Sequence, residues 1–205
     1  MFDLDGTLTP VESTWRYLHE ALGTWDMGSL SASDYWAGKI DYHTWARRDA
    51  QSWRGISLAE VERIVGTIPY SDGAHETVAE LKQAGISVGL VSSGISMLAS
   101  RAARELGFDF AVANRLLHQE GKLTGEVVVE VPLEKKAMIM QEMAGRLGVP
   151  LTSCATIGDT AYDLPLASAL RIAFNPRDLQ TARRADAVVR GGNLRGVLEH
   201  IIQRS

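Results

Sequence analysis

A chain of 205 residues with 45% hydrophobic and 22% charged residues has an ordinary globular composition, sized for one domain carrying a sizeable insertion and too apolar for disorder. A net charge of −4 gives no general pull towards nucleic acid or a membrane surface, a lone cysteine excludes an internal disulfide framework, and no stretch approaches the roughly 18 apolar residues of a membrane span. With no basic-then-apolar leader at its start, the chain is expected to be cytoplasmic, with neither nucleic acid nor membrane as a partner.

The chain opens on Met1-Phe2-Asp3-Leu4-Asp5-Gly6-Thr7-Leu8-Thr9. Two apolar residues lead into the acids, short for a central strand of about 5–6 residues. Alternation along an extended segment puts Asp3 and Asp5 on one side where the strand ends, and Gly6 permits a sharp turn. Paired carboxylates at a strand end suit a hard cation and nucleophile-plus-acid chemistry. A surface Asp-x-Asp-Gly turn reads equally well from that tetrapeptide alone.

Residues 10–70 carry all five tryptophans and read as a helical insertion with nothing that resembles a strand. Trp15, Leu18, His19 and Leu22 share one face and Gly23 ends that helix. Trp45, Asp49 and Trp53 recur at helical spacing before Gly55, and Ser57-Leu58-Ala59-Glu60 reads as a capping box opening a helix with Val61, Ile64 and Val65 inward. From Pro69 onward helices and strands alternate. Residues 73–83 form an amphipathic helix with Val78 and Leu81 inward, and Ile86-Ser87-Val88-Gly89-Leu90-Val91 is an apolar run suited to a buried parallel strand. A helix over 95–106, a short strand over 110–113 and a hairpin or flap around Glu120-Gly121-Lys122 follow. Residues 133–147 are helical, with Met140, Met143 and Leu147 on one face. Cys154-Ala155-Thr156-Ile157 is a strand holding a buried, inert thiol, and a helix begins near Ala161. Strands over 172–174 and 187–189 and a last helix over 194–202 complete the chain. Repeated β–α units predict an α/β fold, a doubly wound parallel sheet with helices on both faces, with a small α-helical cap inserted after the first strand. Arg177, Arg183, Arg184, Arg190 and Arg195 read as a solvated basic surface.

In an open parallel sheet ligands bind beyond the carboxyl ends of the strands. Asp3 and Asp5 follow the first strand. Ser92-Ser93-Gly94 follow the second, reading as a hydroxyl and free backbone N–H groups at a helix start, a natural phosphate seat. Gly158-Asp159-Thr160-Ala161-Tyr162-Asp163 follow a later strand, and Asp159 and Asp163, four apart, face one side of the next helical turn. Lys136 opens the preceding helix within reach of the same cleft.

Asp-Leu-Asp-Gly-Thr, the serine after an apolar strand, the lysine and Gly-Asp-x-x-x-Asp resemble the four motifs of the haloacid dehalogenase superfamily, and within it the phosphoserine phosphatase group. Phe110-Ala111-Val112-Ala113-Asn114-Arg115-Leu116 and Gly121-Lys122-Leu123-Thr124-Gly125 resemble that group's flap, and residues 10–70 lie where the group carries its cap. The resemblance therefore implies a catalytic core of residues 1–9 and 71–205 with a helical cap over 10–70. It implies that Asp3 attacks phosphorus to form an aspartyl-phosphate while Asp5 serves as acid and then base. Mg²⁺ is implied at Asp3, the Asp5 carbonyl and Asp159, with Asp163 beside them positioning Lys136 or a metal-bound water. Ser92 and Lys136, helped by the Ser93 N–H, hold the phosphoryl oxygens of a small phosphorylated substrate. Phosphoserine is one candidate substrate. A phosphotransferase to an alcohol such as homoserine and a non-catalytic phosphometabolite-binding module are the alternatives.

The cap departs from the group. Glu12 stands where the resemblance places the reader of the substrate's amino group, though a first-turn helix acid reads as well there. Tyr42 fits the group's cap aromatic, but Asp49 falls where an arginine grips the substrate carboxylate, and Tyr162 replaces an asparagine. Three readings stand open. Arg48 takes the role by a one-residue slip, Arg47 or Arg54 reaches in from elsewhere, or the substrate carries only a cation, met by Glu12 and Asp49 between Trp45 and Trp53.

Overall fold

A computed structural model describes residues 1–202. Its strands are β1 (Gly89–Ile95), β2 (Phe110–Gln119), β3 (Lys122–Val128), β4 (Ala155–Gly158), β5 (Leu170–Phe174) and β6 (Ala187–Val189). Its α-helices are α1 (Thr14–Ala21), α2 (Trp25–Trp36), α3 (Tyr42–Ser52), α4 (Leu58–Gly66), α5 (Ala74–Gln83), α6 (Ser96–Leu106), α7 (Lys136–Arg146), α8 (Leu179–Arg184) and α9 (Leu198–Ile202). Among the described residues no helix is long and apolar enough to cross a membrane.

Phe2 joins the two halves of the sheet, since it bridges in parallel to Leu90 on one side and to Ile157 on the other. Its N–H donates to Gly89 O at 2.8 Å, the Val91 N–H donates to Phe2 O at 3.0 Å, and the Asp3 N–H donates to Ile157 O at 2.9 Å. β1 pairs in parallel with β2, and β4, β5 and β6 pair in parallel with one another, while β3 folds back antiparallel on β2. Counting residues 1–3 as the first strand, the parallel order is 3-2-1-4-5-6, the doubly wound arrangement. The order reverses between residues 1–3 and β4, and the crevice at that point receives Asp3 and Asp159.

Alternation along β1 sends Leu90 and Val91 to opposite faces. Leu90 packs in the larger core with Val78 and Leu81 of α5, Leu98 of α6 and Ile201 of α9. Val91 packs in a smaller core with Ile139 and Met140 of α7. β1 begins three residues later than the apolar run suggests, because Ile86 still closes α5 through its N–H to Leu81 O at 3.0 Å. The strand therefore runs on through Ser92-Ser93-Gly94, and the helix starts only at Ser96. β2 is longer than expected, continuing through Gln119 into the hairpin. The expected helix after Asp159 is a single 3₁₀ turn over Ala161–Asp163, and the expected one over 133–147 opens with a 3₁₀ turn, leaving Leu147 exposed rather than on the buried face. Cys154 is half-buried, and burial pushes its thiol above the ordinary range, as suits an inert group.

The inserted helices α1–α4 precede α5, and no pattern in the sequence announced α2. Ser13 and Asp41 cap α1 and α3 by accepting from the N–H groups of Arg16 and Thr44 at 3.3 and 2.7 Å. The capping box expected at Ser57 does not close. Ser57 bridges to Lys122 instead, and the Leu58 N–H donates to Gly121 O at 2.9 Å, which ties the insertion to the β2–β3 hairpin. The two crossings into the insertion are tied together, with the Ser71 N–H donating to Leu8 O at 2.8 Å and its hydroxyl to Thr7 O at 2.7 Å.

Phe2 is 1% exposed and sits edge-on to Phe108 with ring centroids 5.7 Å apart. Phe2→Ala should cost about 3–5 kcal/mol in urea unfolding. Leu166→Ala, at a side chain 72% exposed, should stay within about 0.5 kcal/mol of the parent.

Candidate active site

Two strand ends, one 3₁₀ turn and one helix start converge on the crevice. Asp3 leaves the central segment, Asp159 follows β4, Asp163 closes the 3₁₀ turn behind it, and Lys136 opens α7. All four side chains are buried, and one oxygen from each of Asp3, Asp159 and Asp163 lies within 4.8 Å of the others. Like charges at that spacing repel strongly in a dry environment, so cations must stand among them. Lys136 Nζ donates to Asp3 Oδ1 and, at 2.5 Å, to Asp163 Oδ1. Asp163 Oδ2 accepts from the Thr160 N–H at 2.9 Å and hydroxyl at 2.6 Å, so both its oxygens are engaged in positioning Lys136 and the turn. Burial would lower the Lys136 ammonium, but Asp163 and Asp3 more than offset this and hold it above its ordinary value. Burial, reinforced by Asp163 and opposed by Lys136, pushes Asp3 well up. Burial and Asp163 push Asp159 up to about 7 against the pull of Arg177.

Arg177 is the site residue that sequence reasoning missed. It is not part of a solvated basic surface. Its Nε donates to Asp159 Oδ2, and its terminal nitrogen donates to Glu12 O at 2.6 Å and to Asp5 O at 3.5 Å. Arg184 and Arg195 are also engaged, with Leu164 O at 2.7 Å and Glu80 at 2.7 Å. Gly6, at φ 81°, lets the chain pass Asp159 and Arg177 so closely that a Cβ would lie 2.1 Å from Asp159 Oδ2. Asp159 Oδ1 is buried with no hydrogen-bond partner. An all-oxygen donor set with an unsatisfied buried carboxylate oxygen fits a hard divalent cation.

Asp5 sits apart from the cluster. Its carboxylate accepts from the Thr14 N–H at 2.8 Å and from the Thr14 hydroxyl at the start of α1, contacts the sequence did not disclose. Burial outweighs these bonds and raises the carboxyl above its ordinary range. Ser92 Oγ accepts from the Gly94 N–H at 2.9 Å, so this strand end is not the open helix N-terminus that the sequence suggested. Ser93 offers its carbonyl as a hub, accepting from Trp15 Nε1 at 3.0 Å, Tyr42 OH at 2.5 Å and Asn114 Nδ2 at 2.7 Å.

A cavity of about 320 Å³ runs from this cluster up between the inserted helices. Glu12, Tyr42, Asp49 and Tyr162 line it together with Ser92, Ser93 and Gly94. The Tyr42 hydroxyl is committed to Ser93, which fixes the ring as wall. Arg47, Arg48 and Arg54 do not line the cavity, and Arg48 is paired with Asp34 at 3.0 Å. Trp53 does not line it either. It is fully buried behind Trp15, their rings stacked at 5.6 Å.

Residues 1–168 match the family model of haloacid dehalogenase-like hydrolases, and the chain belongs to that family. It is 31% identical to a phosphoserine phosphatase of Methanocaldococcus jannaschii over 98% of this chain and 96% of the relative. It is 30% identical to one of Wolinella succinogenes over 98% of each chain. Among solved structures, a phospho-aspartyl intermediate analogue of phosphoserine phosphatase superposes with a TM-score of 0.82 at 30% identity, covering 98% of this chain and 96% of that one.

Asp159 titrates near 7 in the fold against an ordinary 3.8, so the folded protein keeps a proton that the unfolded chain releases. That share of the stability is complete below about pH 3.8 and is lost as the pH rises through about 7. In chelator-treated protein, the thermal midpoint should fall less steeply with pH over that interval in Asp159→Asn than in the parent. Mg²⁺ should restore the parent's midpoint most at the alkaline end, where it competes with fewer protons.

Proposed function

We propose that the chain hydrolyses small phosphate monoesters, the activity named for its phosphoserine phosphatase relatives, with residues 1–9 and 71–205 as catalytic core and 10–70 as a cap over it. The observation that carries this reading is the meeting of Asp3, Lys136, Asp159 and Asp163 in one buried cluster, with Asp5, two residues beyond Asp3, held by Thr14. In the first step an Asp3 carboxylate oxygen bonds to phosphorus as the ester P–O bond breaks, and Asp5 delivers its proton to the departing oxygen. Asp5, now ionised, takes a proton from a water that attacks phosphorus, which releases phosphate and returns Asp3. Lys136 and Ser92 hold the non-bridging oxygens, and Asp163 and Thr160 hold Lys136. Asp3, the Asp5 carbonyl and Asp159 would hold Mg²⁺, which supplies charge neutralisation for the phosphoryl group. Thr14 orients Asp5, and Arg177 joins Asp159 to the start of the cap through the Glu12 carbonyl. A cytoplasmic location belongs to the same proposal.

Asp3→Asn should abolish phosphate release from p-nitrophenyl phosphate while leaving the circular dichroism unchanged. Asp5→Asn should slow release by about 10²–10⁴-fold. Added homoserine should leave phosphate release unaltered. Its appearance as a phosphorylated product would assign the chain to phosphoryl transfer instead.

A further inference from the structure

The far end of the cavity, away from the carboxylate cluster, is built from the inserted helices. Its walls are aromatic, with Trp25, Trp36 and Trp45 facing the space. Its deepest charged group is Asp49 on α3, 2% exposed. The nearest basic side chain is His19, whose Nε2 stands 3.4 Å from Asp49 Oδ1. His19 is fixed from behind, its Nδ1 lying 2.8 Å from Thr24 Oγ1, which itself accepts from Trp53 Nε1 at 3.1 Å. Gly28 of α2 packs directly on the imidazole, where a Cβ would come within 2.5 Å of the ring. Donors on His19, Ser31 and Trp45 lie around the Asp49 carboxyl, yet burial dominates and holds it above the ordinary range. Asp49 Oδ1 and His19 Nε2 face each other at 3.4 Å as a loose pair that falls short of a hydrogen bond, and Trp45 Nε1 is buried without a hydrogen-bond partner. A contact that loose, in a buried site, leaves the carboxylate and the indole N–H with hydrogen-bonding capacity to spare.

The other charges lining the cavity are accounted for. Lys136 and Arg177 are bound by the core carboxylates. Arg16 pairs with Glu20 at 2.7 Å and lies over the Trp25 ring at 5.0 Å. Glu12, exposed at the mouth, adds a second negative group on the cap side. A buried carboxylate met by an imidazole and by no ammonium or guanidinium among the described residues lining the cavity's inner end, and set among indole rings, suits a positive charge carried on an apolar body.

We propose that this inner end is a subsite for an organic ammonium, so that the best substrates are phosphate monoesters of amino alcohols without a carboxylate. The inference rests on the phosphatase reading above. It assigns Asp49 and the Trp25, Trp36 and Trp45 rings to recognition of the cation, with His19 positioning the Asp49 carboxylate. A carboxylate in the same place would face Asp49, and Arg16, which also lines the cavity, is engaged with Glu20.

The test compares kcat/KM for phosphoethanolamine, phosphocholine, phosphoserine and 3,3-dimethylbutyl phosphate, the last being an uncharged carbon isostere of phosphocholine. At least one of the two amines should exceed both phosphoserine and the isostere by about tenfold or more, the scale of one desolvated cation–π contact. In Asp49→Asn the ratio of amine to isostere should fall towards one. Because the ratio is taken within a single preparation, partial misfolding of the variant cancels. Quenching of tryptophan emission by phosphocholine, but not by the isostere, in Mg²⁺-free protein would show the same preference without turnover. Equal rates for amine and isostere would overturn the proposal. So would a preference for phosphoserine over phosphoethanolamine that is lost in Arg16→Ala. Failure of the parent to release phosphate from p-nitrophenyl phosphate would instead remove the phosphatase reading, and the quenching experiment would then decide the subsite on its own.

Discussion

Three carboxylates packed out of water around one ammonium are the constraint on which this molecule depends. Asp3, Asp159 and Asp163 would drive one another apart without Lys136 between them and Arg177 at their flank. Burying such a group costs stability unless every charge is met, and an arrangement that meets the charges incompletely is poised to take up another cation. The fold supplies the geometry cheaply. Parallel strands on either side of the order reversal deliver Asp3 and Asp159 side by side, α7 aims Lys136 into the gap, and a single 3₁₀ turn brings Asp163 back beneath it. None of these acids sits on a mobile tip. Each is held by backbone that is itself paired in the sheet or capped in a turn.

The inserted helices answer a different need. Their aromatic residues are partly core, as with Trp53 behind Trp15, and partly cavity wall. The β2–β3 hairpin supports them from below, through the Gly55 N–H to Leu123 O at 2.8 Å and the Leu58 N–H to Gly121 O at 2.9 Å. Asn114 binds the two parts together. Its amide donates to Ser93 O and to Tyr42 OH, and its carbonyl accepts from the N–H groups of Glu130 and Val131 at 3.0 and 2.9 Å. The carboxylate end of the cavity and its aromatic end are therefore tied to one hydrogen-bonded frame.

Asp3, Asp159 and Lys136 were legible in the sequence because each lies at a strand end or helix start, where short local patterns carry the information, whereas Ser92 stands inside β1 and Asp163 in the 3₁₀ turn after β4. Arg177 was not legible, because it follows β5 among other arginines that read together as a solvated basic surface, and its role exists only once β4 and β5 lie side by side. Thr14 belongs to no motif in the sequence, and its service to Asp5 depends on where α1 begins relative to the first turn. Helix α2 escaped notice because Trp25–Trp36 has small residues, Gly28 and Ser31, where an apolar stripe would be expected, and those residues let it close on His19. The start of β1 was misjudged because an apolar run cannot show where a helix cap ends and a strand begins. Asp49 drew attention as a missing arginine, but its meeting with His19 crosses from α3 to α1 and has no local signature.

The central claim is that Asp3 carries the phosphoryl group. Borohydride added during turnover reduces an aspartyl-phosphate to homoserine, and peptide mapping by mass spectrometry locates the change. Homoserine in place of Asp3 alone, formed only when Mg²⁺ and a phosphate monoester are both present, is the result this account predicts. Reduction at any other carboxylate, or hydrolysis at full rate with no reducible intermediate, would contradict it.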